Sequence, residues 1–259
     1  MRQAVLDATR SGRVHTLTLR RPHAGNAIDQ EMAAAISAAV GAVVADAEPQ
    51  IVVLKGEGSQ FCVGGDVQAV TTADDPAGYL HRLAATMHDA LASLHESPHI
   101  VVAAVQGAAA GAGLALVLNA DLVVASERAV FLSAYAGVGL TPDCGVSHLL
   151  PRIVGLRRAV ELTITGRVLT ATEARDWGLV NTVVPVDDFD DTVAALVERL
   201  AAGPAWAQAR TLGLLGRDDL DFRTQLDAEL DGLGAQIALP DTVQRMDRFL
   251  SGSTQKGTR

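Results

Sequence analysis

The sequence predicts an α/β fold that carries a helical appendage, and three observations support this. Short apolar strand patterns alternate with amphipathic helical patterns from Val14 to about Pro185. Glycine-rich turns punctuate the passages from strand to helix. From about Val186 the pattern is helical only, with breaks at Gly203-Pro204, Gly216 and Pro240. The expected organisation is a core over residues 1–185 and a helical region over residues 186–259, closing in a frayed tail, "SGSTQKGTR". With 259 residues, 49% of them hydrophobic and 20% charged, the chain can bury a substantial core and does not read as disordered.

Each element has a local reason. "VHTLTL" (Val14 to Leu19) alternates as a half-buried strand does, and "RPHAGNA" ends it with Pro, Gly and Asn. Asp29 can cap the next helix, where Met32, Ile36, Val40 and Val43 form one apolar stripe running to about Ala47. "IVVLKGEG" is a buried strand ending in glycines, Pro76 to His95 is a second amphipathic helix, and "HIVVAAV" is a further strand. "GAAAGAG" (Gly107 to Gly113) then leads into a helix ending near Asn119. Short strands at "DLVVAS" and "AVFLS" precede "GLTPDCGVSHLLPRIVG", where Pro142 and Gly145 mark a turn before a short helix ending at Gly155. Thr170 and Glu173 have the spacing of a capping box.

Composition excludes several function classes. A net charge of −9 argues against a general binder of DNA or anionic membranes, and 3% aromatic content leaves few platforms for stacking bases. Cys62 and Cys144 stand alone, outside any CxxC or Cys/His cluster, which suggests neither a zinc site nor a disulfide framework and fits a reducing, cytoplasmic setting. The N-terminal stretch lacks an apolar core of signal-peptide length, and no run reaches the roughly 18 apolar residues of a membrane span. "GAGLAL" offers two glycines of a dinucleotide fingerprint and Leu116 in place of the third; P-loop, nucleophile-elbow and HExxH motifs are absent.

Two strand-end turns remain, "FCVGGDV" (Phe61 to Val67) and "GAAAGAG", so poor in side chains that the backbone itself is the candidate functional surface. Together with "LTLRRPHAGNAID", "VVAAVQGAAAGAGLALVLNADLVVAS", "GLTPDCG" and "ARDWGLVNTVVP" in order, they make the chain resemble the enoyl-CoA hydratase/isomerase, or crotonase, superfamily over almost its whole length. The resemblance implies a crotonase-like spiral of ββα repeats followed by a C-terminal helical trimerisation region, assembled as a homotrimer or a dimer of trimers. It also implies an acyl-CoA thioester as substrate, coenzyme A entering as part of that thioester and no separate cofactor or metal. The family holds the thioester oxygen, as an enolate, on two backbone N–H groups, which by position belong here to Gly65 and Ala112.

Acids and bases decide the reaction. Hydratases of the family carry two glutamates in the pocket, and the matching positions here are Ala115 and Tyr135, so ordinary hydration loses both carboxylates. Asp143 in "GLTPDCG" matches the aspartate of dienoyl-CoA isomerases and of the 1,2-epoxyphenylacetyl-CoA isomerase branch, which "AAAGAG" and "LLPRIVGLRRA" also resemble. The expected activity is therefore an acyl-CoA isomerase that shifts a double bond, or opens a ring-epoxide-derived acyl-CoA, with Asp143 moving the proton and Tyr135 beside it. Alternatives are a hydratase using Asp143 with an atypical water, a nucleophilic dehalogenase or hydrolase, and a non-catalytic acyl-CoA-binding trimer. A helix cap is the bland role for Asp143, and His148 and Cys144 fit packing or helix-face roles.

For the coenzyme A portion the resemblance points to Arg21, His23, Ala24, Val63, Asp66, Val67 and Phe249. Asp66 usually orders its loop in the family, and Gln68 stands where relatives often carry Lys.

Overall fold

The structure is a computed structural model that describes residues 4–216 and 221–256. Its strands are β1 (Leu6–Ser11), β2 (Val14–Leu19), β3 (Ile51–Gly56), β4 (Ile100–Val105), β5 (Ala108–Ala110), β6 (Leu122–Ser126), β7 (Val130–Leu132), β8 (Val168–Thr170) and β9 (Thr182–Val184). Its helices are α1 (Gln30–Val44), α2 (Val67–Thr71), α3 (Pro76–His95), α4 (Ala112–Leu118), α5 (Val146–Val154), α6 (Leu156–Thr165), α7 (Ala171–Asp176), α8 (Phe189–Ala201), α9 (Ala205–Leu215), α10 (Phe222–Ile237) and α11 (Pro240–Lys256).

A six-stranded sheet runs in the order β1-β2-β3-β4-β6-β9, and β5-β7-β8 form a second sheet of three. The β1–β2 pair is antiparallel, while β2, β3, β4, β6 and β9 are mutually parallel. Val14 lies opposite Ile51 and Ile51 opposite Ile100, so β2, β3 and β4 start in line and release their loops at one edge. Both faces of β4 are buried, which is why it reads as an unbroken apolar run where β2 alternates. The α1 stripe, Met32, Ile36, Val40 and Val43, is buried as its spacing requires, and α1 packs on α3.

The helix starts follow their sequence signals. Asp29 accepts from the Met32 N–H to cap α1, Asp75 caps α3, and the Thr170/Glu173 capping box opens α7.

Four features depart from the expectations. The N-terminal segment forms β1, which carries no strand pattern of its own because its side chains are mostly exposed and its order comes from pairing with β2. The alanines 108–110 form β5, held between no long side chains but by pairing with Val130–Leu132. The compact core extends through Ala201 instead of stopping at residue 185: α8 packs on β3 and β6, and Lys55 reaches Asp190 at 3.6 Å. Finally, α11 continues through Lys256, so the expected frayed tail is helical over residues 251–256; residues 257–259 lie outside the described residues.

The second compact unit begins at Ala202 and contains α9, α10 and α11. It exposes Leu215, Phe222, Leu230, Leu233 and Phe249, and holds an apolar cavity of about 470 Å³ lined by Pro204, Ala207, Met246, Phe249 and Leu250 among others. No helix among the described residues is long and apolar enough to cross a membrane.

Candidate active site

The loop that leaves β3 is built on Asn26. This fully buried side chain donates to the carbonyls of Glu57, Gln60 and Phe61 at 3.0, 2.8 and 3.1 Å, and accepts from the Arg21 N–H at 2.9 Å. Its own backbone is left-handed (φ 56), a region Asn tolerates better than most residues. Beyond Phe61 the chain is laced to its surroundings: Cys62 N–H bonds Ala108 O, Ala110 N–H bonds Cys62 O, Val63 N–H bonds Gly25 O, and Asp66 N–H bonds Ile28 O, all within 3.0 Å.

These bonds place the two glycine turns side by side. Gly64 has φ 104, and a Cβ there would stand 2.9 Å from Ala110 O and 3.4 Å from Ala112 N. At Gly113 a Cβ would collide with the Cys62 carbonyl, so the two main chains touch directly. Gly65 follows the first turn, and Ala112 is the first residue of α4. Neither N–H has an acceptor among the described residues; Gly65 is exposed and Ala112 half-buried. Two adjacent unpaired N–H groups, reachable from solvent, can receive the oxygen of a polarised carbonyl.

Asp143 lies on the loop before α5, half-buried. Its Oδ1 accepts from the Tyr135 hydroxyl at 2.6 Å. Burial pushes the phenol far above its ordinary value, and the facing Asp143 charge adds to the shift, so Tyr135 remains a proton donor. The Cys144 thiol is raised for the same two reasons, burial first and Asp143 second. Cys62 is pushed up to about 12 by burial. Ala115, one turn into α4, is fully buried and apolar.

His88 was not singled out by the sequence, because it falls on the polar face of α3. Its Nε2 accepts from the Cys144 N–H at 3.1 Å. A ligand atom from each of His88, Asp143 and Cys144 lies within 4.8 Å of the others, the one such grouping among the described residues that could hold a metal. Each already has a partner within the protein, His88 in the Cys144 amide and the thiol in the carboxylate beside it. The set therefore reads as a proton-holding network.

The residues expected to contact coenzyme A divide into three groups. Arg21 meets its partners inside the protein: it donates to Ala27 O, to Asp66 at 2.9 Å, and lies 3.2 Å from Asp29. Burial alone would raise the Asp66 carboxyl, but the Ala69 N–H and the Arg21 guanidinium outweigh it and hold it below the usual carboxylate range. Asp66 also caps α2, so this pair fixes the turn next to Gly65. His23, Val63 and Val67 are exposed, with Ala24 half-buried beside Gly25, which packs on Val63. Phe249 lies in the second unit, on α11. His148 is exposed on α5 and lies against Arg152.

The sequence profile of the enoyl-CoA hydratase/isomerase family matches residues 9–249. The chain belongs to the enoyl-CoA hydratase/isomerase family. Among family members, the 1,2-epoxyphenylacetyl-CoA isomerase of Escherichia coli (strain K12) is 35% identical over 89% of this chain and 89% of its own, in agreement with the branch indicated by the loop motifs. The 4-chlorobenzoyl coenzyme A dehalogenase-2 of an Arthrobacter species is 31% identical over 92% of this chain and 87% of its own. The fold is that of the same family: a Thermobifida fusca protein named as an enoyl-CoA hydratase, solved in complex with CoA, superposes with a TM-score of 0.83 at 32% identity over 91% of this chain and 93% of that one.

Proposed function

We propose that this enoyl-CoA hydratase/isomerase family protein is an acyl-CoA isomerase with Asp143 as its single proton carrier. The Asp143 carboxylate takes a proton from carbon in conjugation with the thioester, the Gly65 and Ala112 N–H groups hold the resulting enolate oxygen, and the Asp143 carboxyl returns the proton to a different carbon. A double bond moves, or a strained ring opens, with no water consumed. Coenzyme A arrives as part of the substrate, so this chemistry requires no further cofactor.

The observation that carries the reading is the Tyr135–Asp143 hydrogen bond, with Tyr135 and Ala115 standing where hydration would need two carboxylates. The Escherichia coli relative and the CoA-bound structure of a family member support the thioester class. The apolar faces of α9 to α11 support assembly as a homotrimer or dimer of trimers, and two reduced cysteines fit a cytoplasmic setting.

The test is α-proton exchange and product analysis in deuterated water across a panel of acyl-CoA thioesters, comparing wild type with Asp143→Asn. Loss of exchange in the variant supports the reading. Undiminished isomerisation overturns it, release of 3-hydroxyacyl-CoA favours hydration, and binding without exchange favours a scaffold. The likeness to the Arthrobacter dehalogenase favours one second reading, in which an Asp143 oxygen attacks a halogen-bearing carbon of the acyl group and the carbon–halogen bond breaks with loss of halide; mass detection of an aspartyl ester on rapid quenching would select it.

A further inference from the structure

The Asp143 loop is held in an unusual way. Cys144 has φ 51, a left-handed conformation that a side chain disfavours, and Gly145 follows at φ 85. Two consecutive left-handed residues turn the chain back sharply between Asp143 and α5, and Val146 N–H closes the turn on Asp143 O at 3.0 Å. Such a conformation persists only where its surroundings over-determine it.

Here the surroundings are two side chains from two other helices. His88 on α3 accepts the Cys144 N–H through Nε2 at 3.1 Å, and Asn119 at the end of α4 donates through Nδ2 to the Cys144 carbonyl at 3.2 Å. Asn119 also donates to Ala115 O at 2.8 Å, which fixes its amide on the helix that begins at Ala112. Both polar groups of one strained residue are thus satisfied, one from each side. His88 is exposed, so core packing does not account for its place.

We infer that His88 and Asn119 are positioning residues that clamp the main chain of Cys144 and so set the Asp143 carboxylate against the Gly65 and Ala112 N–H groups. This rests on the reading of Asp143 as proton carrier. The bond to the Cys144 N–H requires an acceptor atom at residue 88, here the imidazole Nε2, and not an imidazole as such. A glutamine can supply an acceptor through its Oε1; a phenylalanine fills the space and cannot. Asn119→Asp keeps the size and loses the donor.

The chain contains two cysteines, so selective 15N-cysteine labelling of the full-length protein yields two amide signals, and the Cys62 amide, bonded to Ala108 O at 3.0 Å, is an internal control for folding. With His88→Phe, the Cys144 signal shifts and loses protection from hydrogen exchange while the Cys62 signal stays. In the proton-exchange assay, kcat falls by about tenfold or more, as expected for a misplaced catalytic group, with little change in KM. Asn119→Asp acts in the same direction, and His88→Gln restores most of kcat. If Asp143→Asn is inactive while His88→Phe and Asn119→Asp turn over at the wild-type rate, the clamp is overturned and the role of Asp143 stands. Equal losses in His88→Phe and His88→Gln would show that the imidazole itself is needed, and would overturn positioning through the amide. Wild-type turnover by Asp143→Asn would remove the role of Asp143, and the inference with it.

Discussion

The Tyr135 hydroxyl donates to Oδ1 of Asp143 at 2.6 Å, joining a phenol held in its protonated form to the one carboxylate at the proposed proton-transfer point. The bond anchors Oδ1 and so fixes the plane of the carboxylate. Hydrogen bonds to charged groups contribute about 1.5–3 kcal/mol. Tyr135→Phe should therefore lower kcat for α-proton exchange by roughly ten- to a hundredfold, measured alongside thermal unfolding to confirm that the fold is kept.

Ala112 permits a substitution that replaces its N–H hydrogen with a ring carbon. It is the first residue of α4, where proline is tolerated because no intrahelical bond is lost. Ala112→Pro should cost on the order of a hundredfold in kcat while the melting temperature stays close to wild type. Full activity in a folded Ala112→Pro protein would exclude this N–H from enolate stabilisation.

Arg21 separates structure from ligand binding. Its guanidinium is shared among Ala27 O, Asp29 and Asp66, with each side chain less than a fifth exposed. Removing it leaves two carboxylates without their counter-charge, so Arg21→Met should lose about 3 kcal/mol of stability, read by chemical denaturation. A phosphate contact would instead raise KM for the coenzyme A thioester and leave unfolding unchanged.

His99 gives the stability a pH dependence. The ring is buried, which lowers its basicity below the usual histidine value, against the opposing charge of Asp46, and Nδ1 accepts from Gln50 N–H at 3.1 Å. The unfolded chain binds the proton more readily, so the contribution is complete above the unfolded value, near 6.5, and is lost as pH falls through the lower folded value. Melting temperatures should fall as pH is lowered below about 6.5, and His99→Asn, which keeps an acceptor that does not titrate there, should flatten that fall.

How much of this was legible in the sequence depends on how local the cause was. Asp29, Thr170 and Glu173 act within three residues of themselves, and their caps were read correctly. The two glycine turns were legible because a lack of side chains is visible in one dimension. The Arg21–Asp66 pair left no sequence signal, because the two residues are 45 positions apart. His88 sits on the outer face of an amphipathic helix, where a histidine looks like solvent-facing decoration until the fold brings residue 144 to it, 56 positions on. Strand β5 escaped because three alanines carry no strand signal; its order comes from Val130–Leu132.

The contact between Gly113 and the Cys62 carbonyl leaves no room for atoms to be added where the two main chains meet. Remodelling this pocket by mutation is thereby confined to its periphery. An engineer can exchange the side chains at 115, 135 and 143, while the main-chain atoms of the proposed enolate site, which every residue but proline possesses, stay in place beneath them.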